Sequence, residues 1–331
     1  MLDRITWVDL TGGVHGLGYI VAEKDLHPND WYFPCHFRDD EVLAGSLQAE
    51  GGVNLLRFFI LMVGLQRLTK NARFQPIYGL EQKVRCRKQV TPGVDTKLIY
   101  KLEVKEIGLF PNPYVIADLE IISNEVITVH FENLGLELRE KTNPKYLDPK
   151  VGVKISPRSA NALMNEKDIT TFALGNMTDC FGPDFAIYNG RKMSRQPNSD
   201  LQLISRILHI EGTKGDFSKD IPIIAEYDVP IDAWYFKQNS NNSMPYAILM
   251  EIALQPCGLL GAYLGSTLQF PDKDLYLRNL DGEGVTFDLP IGTDFRGKPL
   301  QIKPYWFLVL ITEELSYSGT LLSCRLMENF F

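Results

Sequence analysis

Residues 24–33 read KDLHPNDWYF and residues 227–236 read YDVPIDAWYF, so one motif occurs twice in the chain. Each copy precedes a loop and a long apolar segment, EVLAGSLQAEGGVNLLRFFILMVGLQRL at 41–68 and SMPYAILMEIALQPCGLLGAYLG at 243–265. Each segment holds a glutamate, and Glu50 and Glu251 are 201 residues apart, close to the 203 residues that separate the two motif tryptophans. Two features repeated at nearly the same offset indicate an internal duplication.

The two apolar segments are long enough to form helices and carry apolar residues on almost every side. A helix of that kind is buried inside a fold rather than laid on its surface. The residues after the first segment are strand-like at 83–90, 96–107, 114–122 and 126–138. In 96–107 apolar and charged residues alternate, which is the period-2 pattern of a half-buried antiparallel strand. We therefore predict an α+β fold in which two antiparallel β-sheets are each wrapped around a long buried central helix.

The length of the chain favours two domains, because 331 residues exceed what one small hydrophobic core usually organises. The residues between the two repeats are polar and contain Pro144, Pro149 and Pro157, a composition typical of a linker. We predict an N-terminal domain at 1–142, a linker at 143–165 and a C-terminal domain at 166–331.

Composition argues against several classes of function. The 34 basic and 41 acidic side chains give a net charge of −7, which disfavours a broad nucleic-acid surface. The five cysteines are scattered without a CxxC pair, as expected of reduced intracellular thiols rather than a disulfide framework or a zinc site. The N-terminus lacks the apolar core of a secretory signal, and the densest apolar run, 53–65, is shorter than the ~20 residues of a membrane-spanning helix. We expect a cytoplasmic protein with no nucleic-acid partner, no membrane insertion and no metal or redox cofactor.

Three side chains are candidates for chemistry. His36 follows a Trp-Tyr-Phe-Pro run just before the first apolar segment, where it is either a structural hydrogen-bond donor or a functional base. Glu50 and Glu251 lie inside otherwise apolar segments, and each is either a satisfied structural glutamate or a carboxyl held neutral as a proton donor. Their equivalent positions in the two repeats favour a function. The remaining histidines have no metal-ligand spacing and are interpreted as ordinary polar side chains: His15, His27, His130 and His209.

The stretch WYFPCHF…DEVLAGSLQAEG resembles the FabA-like, hotdog-fold 3-hydroxyacyl-[acyl carrier protein] dehydratases, in which a carboxylate follows a histidine by fourteen residues, as Glu50 follows His36. In the second copy, Glu251-Ile-Ala-Leu-Gln255 resembles the acid-x-x-x-Gln motif of polyketide synthase dehydratases. CFGPDF at 180–185 resembles their Tyr/Phe-Gly-Pro-x-Phe element. From about residue 10 to residue 300 the chain is similar to the tandem dehydratase region of polyunsaturated fatty acid synthases. The resemblance implies a double hotdog.

The resemblance also implies a site, because in that family the catalytic histidine and the acid come from opposite hotdogs. His36 would then remove the proton at C2 of the acyl thioester, and Glu251 would protonate the departing 3-hydroxyl. Gln255 would hold that carboxyl or the hydroxyl, and the Gly45 N–H would bind the thioester oxygen. Glu50 is the alternative acid.

The implied activity is dehydration of 3-hydroxyacyl-ACP to 2-enoyl-ACP in fatty acid or polyunsaturated fatty acid biosynthesis, with a following isomerisation left open. No cofactor is implied beyond the phosphopantetheine that carries the substrate. The implied partners are the acyl carrier protein and other synthase domains. The two hotdogs would form a pseudo-dimer within the chain, and a homodimer is compatible with it. Asn239 takes the histidine position of the second copy and cannot act as a base, so the site made with Glu50 is expected to be inactive.

Two other functions fit the sequence. One is a catalytically silent hotdog pair that binds acyl chains or scaffolds a large synthase, and the other is a hotdog thioesterase, which would not need His36. After 296–298 a continuous apolar run replaces the alternating strands of the family, so we expect the second sheet to diverge there. A basic cluster is either a solvated strand or a docking site for an acidic carrier protein. It consists of Lys83, Arg85, Arg87 and Lys88.

Overall fold

The computed structural model describes residues 1–140, 161–215, 221–238, 244–278, 281–285, 296–302 and 305–306. The chain divides into two units: unit 1 holds Met1–Asp30, Leu43–Val153 and Glu283–Asp294, and unit 2 holds Trp31–Val42, Lys154–Gly282 and Phe295–Phe331. The segment Trp31–Val42, with the short helix α1 (Tyr32–Cys35), thus groups with the C-terminal part of the chain. The predicted domains at 1–142, 143–165 and 166–331 follow the order of the chain and place this segment in the N-terminal domain. The order of the chain does not reveal where a segment packs.

Unit 1 is built on an antiparallel sheet with the strand order β1-β2-β5-β6-β7-β4, in which β3 pairs with the C-terminal part of β7. The strands are β1 (Arg4–Asp9), β2 (Tyr19–Asp25), β3 (Ala72–Pro76), β4 (Glu81–Cys86), β5 (Lys97–Gly108), β6 (Tyr114–Ser123) and β7 (Val126–Glu140). In β5 the predicted alternation is confirmed from Leu98 to Val104, where every second side chain is fully buried. These side chains are Leu98, Tyr100, Leu102 and Val104.

The predicted strands agree closely with β5, β6 and β7, whereas the one predicted at 83–90 ends earlier, at Cys86. The N–H groups of Arg87 and Lys88 both point to the Thr128 carbonyl, at 2.8 and 3.5 Å. Two successive donors on one acceptor interrupt the alternating ladder of an antiparallel pair, so the strand stops there.

The long helix α2 (Gly45–Met62) packs against β5, β6 and β7 of this sheet. Gly51 and Gly52 lie so close to the strands that a Cβ on either would collide with Tyr100 or Leu119. The absence of a side chain at these two positions lets the helix approach the sheet. The prediction of a long helix buried against an antiparallel sheet is confirmed for unit 1.

Unit 2 has the same plan with shorter strands. Its elements beyond α1 are α3 (Glu166–Leu174), α4 (Met177–Phe181), β8 (Arg206–Ile210), β9 (Ile221–Asp228), α5 (Trp234–Lys237), α6 (Tyr246–Tyr263), β11 (Pro299–Ile302) and β12 (Tyr305–Trp306). The strand β10 (Asp281–Val285) follows β4 in the sheet order of unit 1, to which its residues 283–285 belong. β9 pairs antiparallel with β8, β11 and β12, and α6 packs against it. The predicted second sheet with its own long helix is therefore also present.

The CFGPDF element at 180–185 contributes to the core of unit 2. Phe181 and Phe185 are buried, and the Phe181 ring lies 5.1 Å from that of Phe185 and 5.0 Å from that of Phe172. Between them, Gly182 has φ of 97°, a conformation that favours glycine, and Pro183 begins a 3₁₀ helix, Pro183–Tyr188. The element is a packed turn.

The duplication inferred from the sequence is confirmed by the register of the elements. Helices α2 and α6 begin at Gly45 and Tyr246 and end at Met62 and Tyr263, each 201 residues apart. Each is followed by a left-handed glycine and a 3₁₀ helix, at the same offset. In unit 2 the two motif tryptophans, Trp31 and Trp234, meet with their ring centroids 4.8 Å apart.

Some predictions fall outside the described residues, namely those on Asn239, on the linker up to residue 160 and on the apolar run from 307 onward. The last linker residues are part of unit 2: Met164 bridges to Ile207, and the Asn165 side chain caps α3. Among the residues that the structure describes, no helix is long and apolar enough to cross a lipid bilayer.

Candidate active site

His36 begins a turn that follows α1. Its carbonyl accepts the Val42 N–H at 2.8 Å, which closes residues 36–42 into a loop. Within the same loop, His36 Nδ1 lies 3.1 Å from the Val42 carbonyl oxygen. Since a carbonyl oxygen can only accept, Nδ1 carries the hydrogen and Nε2 keeps its lone pair. The turn therefore holds the tautomer in which Nε2 is available as a base.

The surroundings of His36 favour its neutral form. Burial lowers the pKa of His36 below its ordinary value of 6.5, while the Glu251 carboxylate and the Val42 carbonyl act in the opposite direction. Arg278 also lowers this pKa, and Asp40 raises it. The Glu251 carboxylate thus acts electrostatically on the His36 imidazole, and both residues belong to unit 2. Their catalytic roles remain a prediction.

Glu251 lies on α6 and is 4% exposed, as is Gln255 one turn later. Gln255 Nε2 donates to Glu251 Oε2 at 3.2 Å and to the Leu201 carbonyl at 2.8 Å. Gln255 Oε1 accepts from the Leu203 N–H at 2.9 Å and from Gln196 Nε2 at 3.0 Å. The backbone groups fix the orientation of the amide, so an N–H faces Glu251. Both N–H groups are used, and Gln255 therefore holds the carboxyl rather than a substrate hydroxyl.

The 196–203 segment bonds both the amide that contacts Glu251 and the backbone that leads to His36. It supplies the three groups that fix Gln255, and its Asn198 is buried beside the chain that leads to His36. Asn198 donates its backbone N–H to the Cys35 carbonyl at 2.9 Å and Nδ2 to the Pro34 carbonyl at 3.0 Å. One short segment therefore positions both the approach to His36 and the amide on Glu251.

This segment was not predicted from the sequence, because bonds from side chains to backbone carbonyls leave no spacing pattern. The available signal is the polar run RQPNSD at 195–200, which precedes the strand β8. Two of its side chains, Gln196 and Asn198, are 1% and 5% exposed. A buried amide needs hydrogen-bond partners, so such residues are candidates for positioning roles.

On the C-terminal side of His36, the turn is also bonded to another part of unit 2. The Arg38 guanidinium donates to the Leu174 carbonyl, and Arg195 donates to the Gly175 carbonyl at 2.7 Å. Both carbonyls lie at the C-terminal end of α3, where a helix dipole favours positive charge. Residues on both sides of His36 are thus bonded to other parts of unit 2.

Gly45 and Glu50 lie in unit 1, on α2. Gly45 is the first residue of the helix, and the N–H groups of a first turn have no intrahelical acceptor. Glu50 Oε1 forms an ion pair with Arg57 at 3.0 Å, and Arg57 also donates to Asn54 Oδ1 at 2.9 Å. Among the described residues, Glu50 Oε2 is buried without a hydrogen-bond partner.

The two glutamates differ in their partners although they occupy equivalent positions. At the offset of 201 residues, Gln255 is the counterpart of Asn54 and Gly258 is the counterpart of Arg57. Glu251 therefore bonds a neutral amide, where Glu50 bonds a guanidinium.

The basic cluster at 83–88, which begins in β4 and continues past its end, has acidic partners nearby. The pairs are Lys83 with Glu81 at 3.2 Å, Arg85 with Glu132 at 2.9 Å and Lys88 with Asp95 at 2.7 Å. Lys83, Arg85 and Lys88 are thus paired with carboxylates of unit 1. This pairing favours the solvated strand over an open docking patch.

Outside the candidate site, His130 Nδ1 lies 3.7 Å from Glu132, and His209 Nε2 lies 3.9 Å from Glu211. Residues two apart in a strand share a face, so the sequence could have predicted the first contact. In the described part of the chain, no group of three histidine, cysteine, aspartate or glutamate residues could hold a metal ion. Of the cysteines that the structure describes, four lie outside any disulfide, namely Cys35, Cys86, Cys180 and Cys257.

Comparison with known proteins agrees with the resemblance carried by the motifs around His36 and Glu251. A family model described as the FabA-like domain matches residues 1–132. A polyunsaturated fatty acid synthase protein from Thraustochytrium sp. is 29% identical over an alignment of 419 residues, which covers 91% of this chain and 28% of that protein. The chain thus spans less than a third of the length of this relative.

Two solved structures align with nearly the whole chain. The dehydratase domain of PpsC from Mycobacterium tuberculosis, in complex with C12:1-CoA, is 17% identical with a TM-score of 0.46, and the alignment covers 98% of this chain and 95% of that one. A structure from work on substrate modification by dehydratases of type I polyketide synthases is 15% identical with a TM-score of 0.40, and the coverage is 98% and 97%.

Proposed function

We propose that this chain dehydrates 3-hydroxyacyl thioesters to 2-enoyl thioesters, with His36 as the base and Glu251 as the acid. The observation that carries the proposal is the contact of His36 Nδ1 with the Val42 carbonyl, which leaves Nε2 as the base, together with the electrostatic action on His36 of a buried, amide-bound Glu251. Loss of water needs a base for the C2 proton and an acid for the 3-hydroxyl, which are the two groups present. The FabA-like match and the similarity to a fatty acid synthase protein support the same reaction class.

In the proposed reaction, His36 Nε2 takes the C2 proton, and the electron pair of that C–H bond moves toward the thioester as an enolate. The electron pair then forms the C2–C3 double bond while the C3–O bond breaks. Glu251 gives its proton to the departing oxygen, which leaves as water. His36 ends protonated and Glu251 ionised, so transfer of one proton between them restores the starting state.

In this scheme Gln255 influences which oxygen of the Glu251 carboxyl carries the proton. Because Glu251 Oε2 accepts the amide N–H, this hydrogen bond favours the form of the neutral carboxyl with its hydrogen on Oε1. The scheme starts from a neutral carboxyl and a neutral imidazole. Burial of His36 favours the neutral imidazole, since it disfavours the imidazolium.

We further propose that the substrate arrives on the phosphopantetheine of an acyl carrier protein and that the chain acts within a longer synthase. The motifs around His36 and Glu251 and the name of the Thraustochytrium relative support this setting. The carrier itself and the other synthase domains are inferred from that similarity.

The proposal is tested by incubating the protein with 3-hydroxyacyl and 2-enoyl pantetheine thioesters while both the enoyl product and free thiol are measured. We expect interconversion without thiol release, and a loss of roughly 10³-fold in His36→Ala, as removal of a general base usually causes. His209→Ala, which changes a half-exposed histidine of the same unit, is the matched control. Thiol release that survives His36→Ala would indicate a thioesterase, and acyl binding without turnover a silent hotdog pair. Either result would contradict the proposal.

A further inference from the structure

Arg278 and Asp40 form a bidentate ion pair beside the turn that carries His36. Nη1 of Arg278 lies 2.6 Å from Asp40 Oδ2, and Nη2 lies 2.5 Å from Oδ1. Their side chains are 23% and 15% exposed, so the pair is largely removed from water. A fork-to-fork pair of this kind fixes the angle between the two groups as well as the distance.

Asp40 belongs to the turn whose geometry determines the tautomer of His36. Its backbone exchanges two hydrogen bonds with Phe37, at 3.0 and 3.2 Å, and the turn ends at Val42. The Val42 carbonyl is the acceptor for His36 Nδ1. A displacement of Asp40 would therefore move the group that keeps Nε2 available.

Arg278 is itself held in place. Its guanidinium lies 5.6 Å from the centre of the Tyr276 ring, and Nη1 also donates to the Leu277 carbonyl at 2.8 Å. Lys192 lies near the same ring, with Nζ at 5.7 Å from its centre, but no bond of Lys192 to Asp40 is described. Lys192 is thus a second cation near the Tyr276 ring and can serve as a control.

We propose that Arg278 is a positioning residue for the dehydration, which holds Asp40 and thereby the His36–Val42 turn. The inference rests on the function proposed above. The charged groups that act on His36 are Glu251 from α6, Asp40 from the turn, and Arg278. Arg278 and Asp40 act on the imidazole with opposite signs, so the two roles of Arg278, geometric and electrostatic, can be measured separately.

The test is the pH dependence of kcat and KM for variants of the full chain. Arg278→Gln is expected to lower kcat roughly tenfold with little change in KM, because small displacements of a catalytic base are costly. It should also move the acid limb of kcat/KM to higher pH, since the charge that lowers the pKa of His36 is gone and Asp40 remains. Asp40→Asn should move that limb to lower pH. Arg278→Lys, which keeps the charge without the fork, should leave the limb near the wild-type pH and recover kcat only in part.

Two comparisons decide the outcome. Lys192→Gln removes a cation from the same tyrosine ring and is expected to have wild-type kinetics. In the double variant Asp40→Asn/Arg278→Gln the limb shifts should largely cancel while kcat stays low. Wild-type kcat and an unshifted limb in Arg278→Gln, with His36→Ala inactive, would overturn the positioning role alone. An active His36→Ala would instead show that the proposed function has failed.

Discussion

At His36, tautomer and charge are determined by different neighbours. The Val42 carbonyl determines which nitrogen carries the hydrogen, and burial has the largest influence on how readily the second proton binds. As pH falls through the lowered pKa, Nε2 becomes protonated and the base is lost. We therefore predict that the acid limb of kcat/KM lies below pH 6.5, the ordinary value for histidine. An acid limb above that value, measured with a pantetheine thioester, would contradict the neutral, buried base.

Gln255 is the second residue on which the chemistry depends, because its amide bonds Glu251 directly. Gln255→Met keeps most of the volume and removes the bond, and we predict a loss of kcat of roughly 10- to 100-fold with a smaller effect on KM. Gln196→Met removes one partner of the amide and leaves the bond to Glu251 in place, so its effect on kcat should be smaller. Equal losses of kcat in the two variants would mean that packing, not the bond to Glu251, matters.

Among the elements, the 196–203 segment and the His36 turn are the parts that the proposed chemistry needs to be rigid. Asn198 donates from Nδ2 to Pro34 while its backbone N–H donates to Cys35, so Asn198→Ala removes only the side-chain part of the contact. We predict a cost of about 1–3 kcal/mol in the free energy of unfolding and a fall in kcat of roughly tenfold.

The matched control for Asn198→Ala is Gln202→Ala in the same segment. The Gln202 side chain is partly exposed and bonds Thr170 at 3.3 Å, away from His36 and Gln255. Its unfolding temperature and kcat are expected to stay near those of the wild type. Unchanged kcat in Asn198→Ala would refute a role for the segment in holding the base.

For the whole molecule, the features that repeat locally could be predicted from the sequence. The duplication follows from a motif repeated at a nearly constant offset, the two buried helices follow from long apolar segments, and the alternation of β5 follows from the period-2 placement of apolar residues. The grouping of Trp31–Val42 with unit 2 could not be predicted, because it depends on contacts between residues far apart in the chain, such as Trp31 with Trp234. For the same reason, the partners of Asn198 and the Arg278–Asp40 pair could not be predicted from the sequence.

The difference between the two copies can be predicted in part from the sequence once the offset of 201 residues between the helices is known. At the position equivalent to Arg57 the second copy has Gly258, so helix α6 does not repeat the cation that pairs with Glu50. Glu50 bonds the Arg57 guanidinium, and Glu251 bonds the Gln255 amide. This difference between the two helices is our basis for expecting one glutamate, not both, to act as the acid.

The most direct test compares Glu251→Gln with Glu50→Gln, since both changes remove a carboxylate from equivalent positions of two 18-residue helices. The measurement is the rate of interconversion between 3-hydroxyacyl and 2-enoyl thioesters, with unfolding temperatures as a check on folding. We predict that Glu251→Gln loses activity by roughly 10²-fold or more, whereas Glu50→Gln stays near the wild-type rate. An active Glu251→Gln beside an inactive, folded Glu50→Gln would contradict the assignment of the acid.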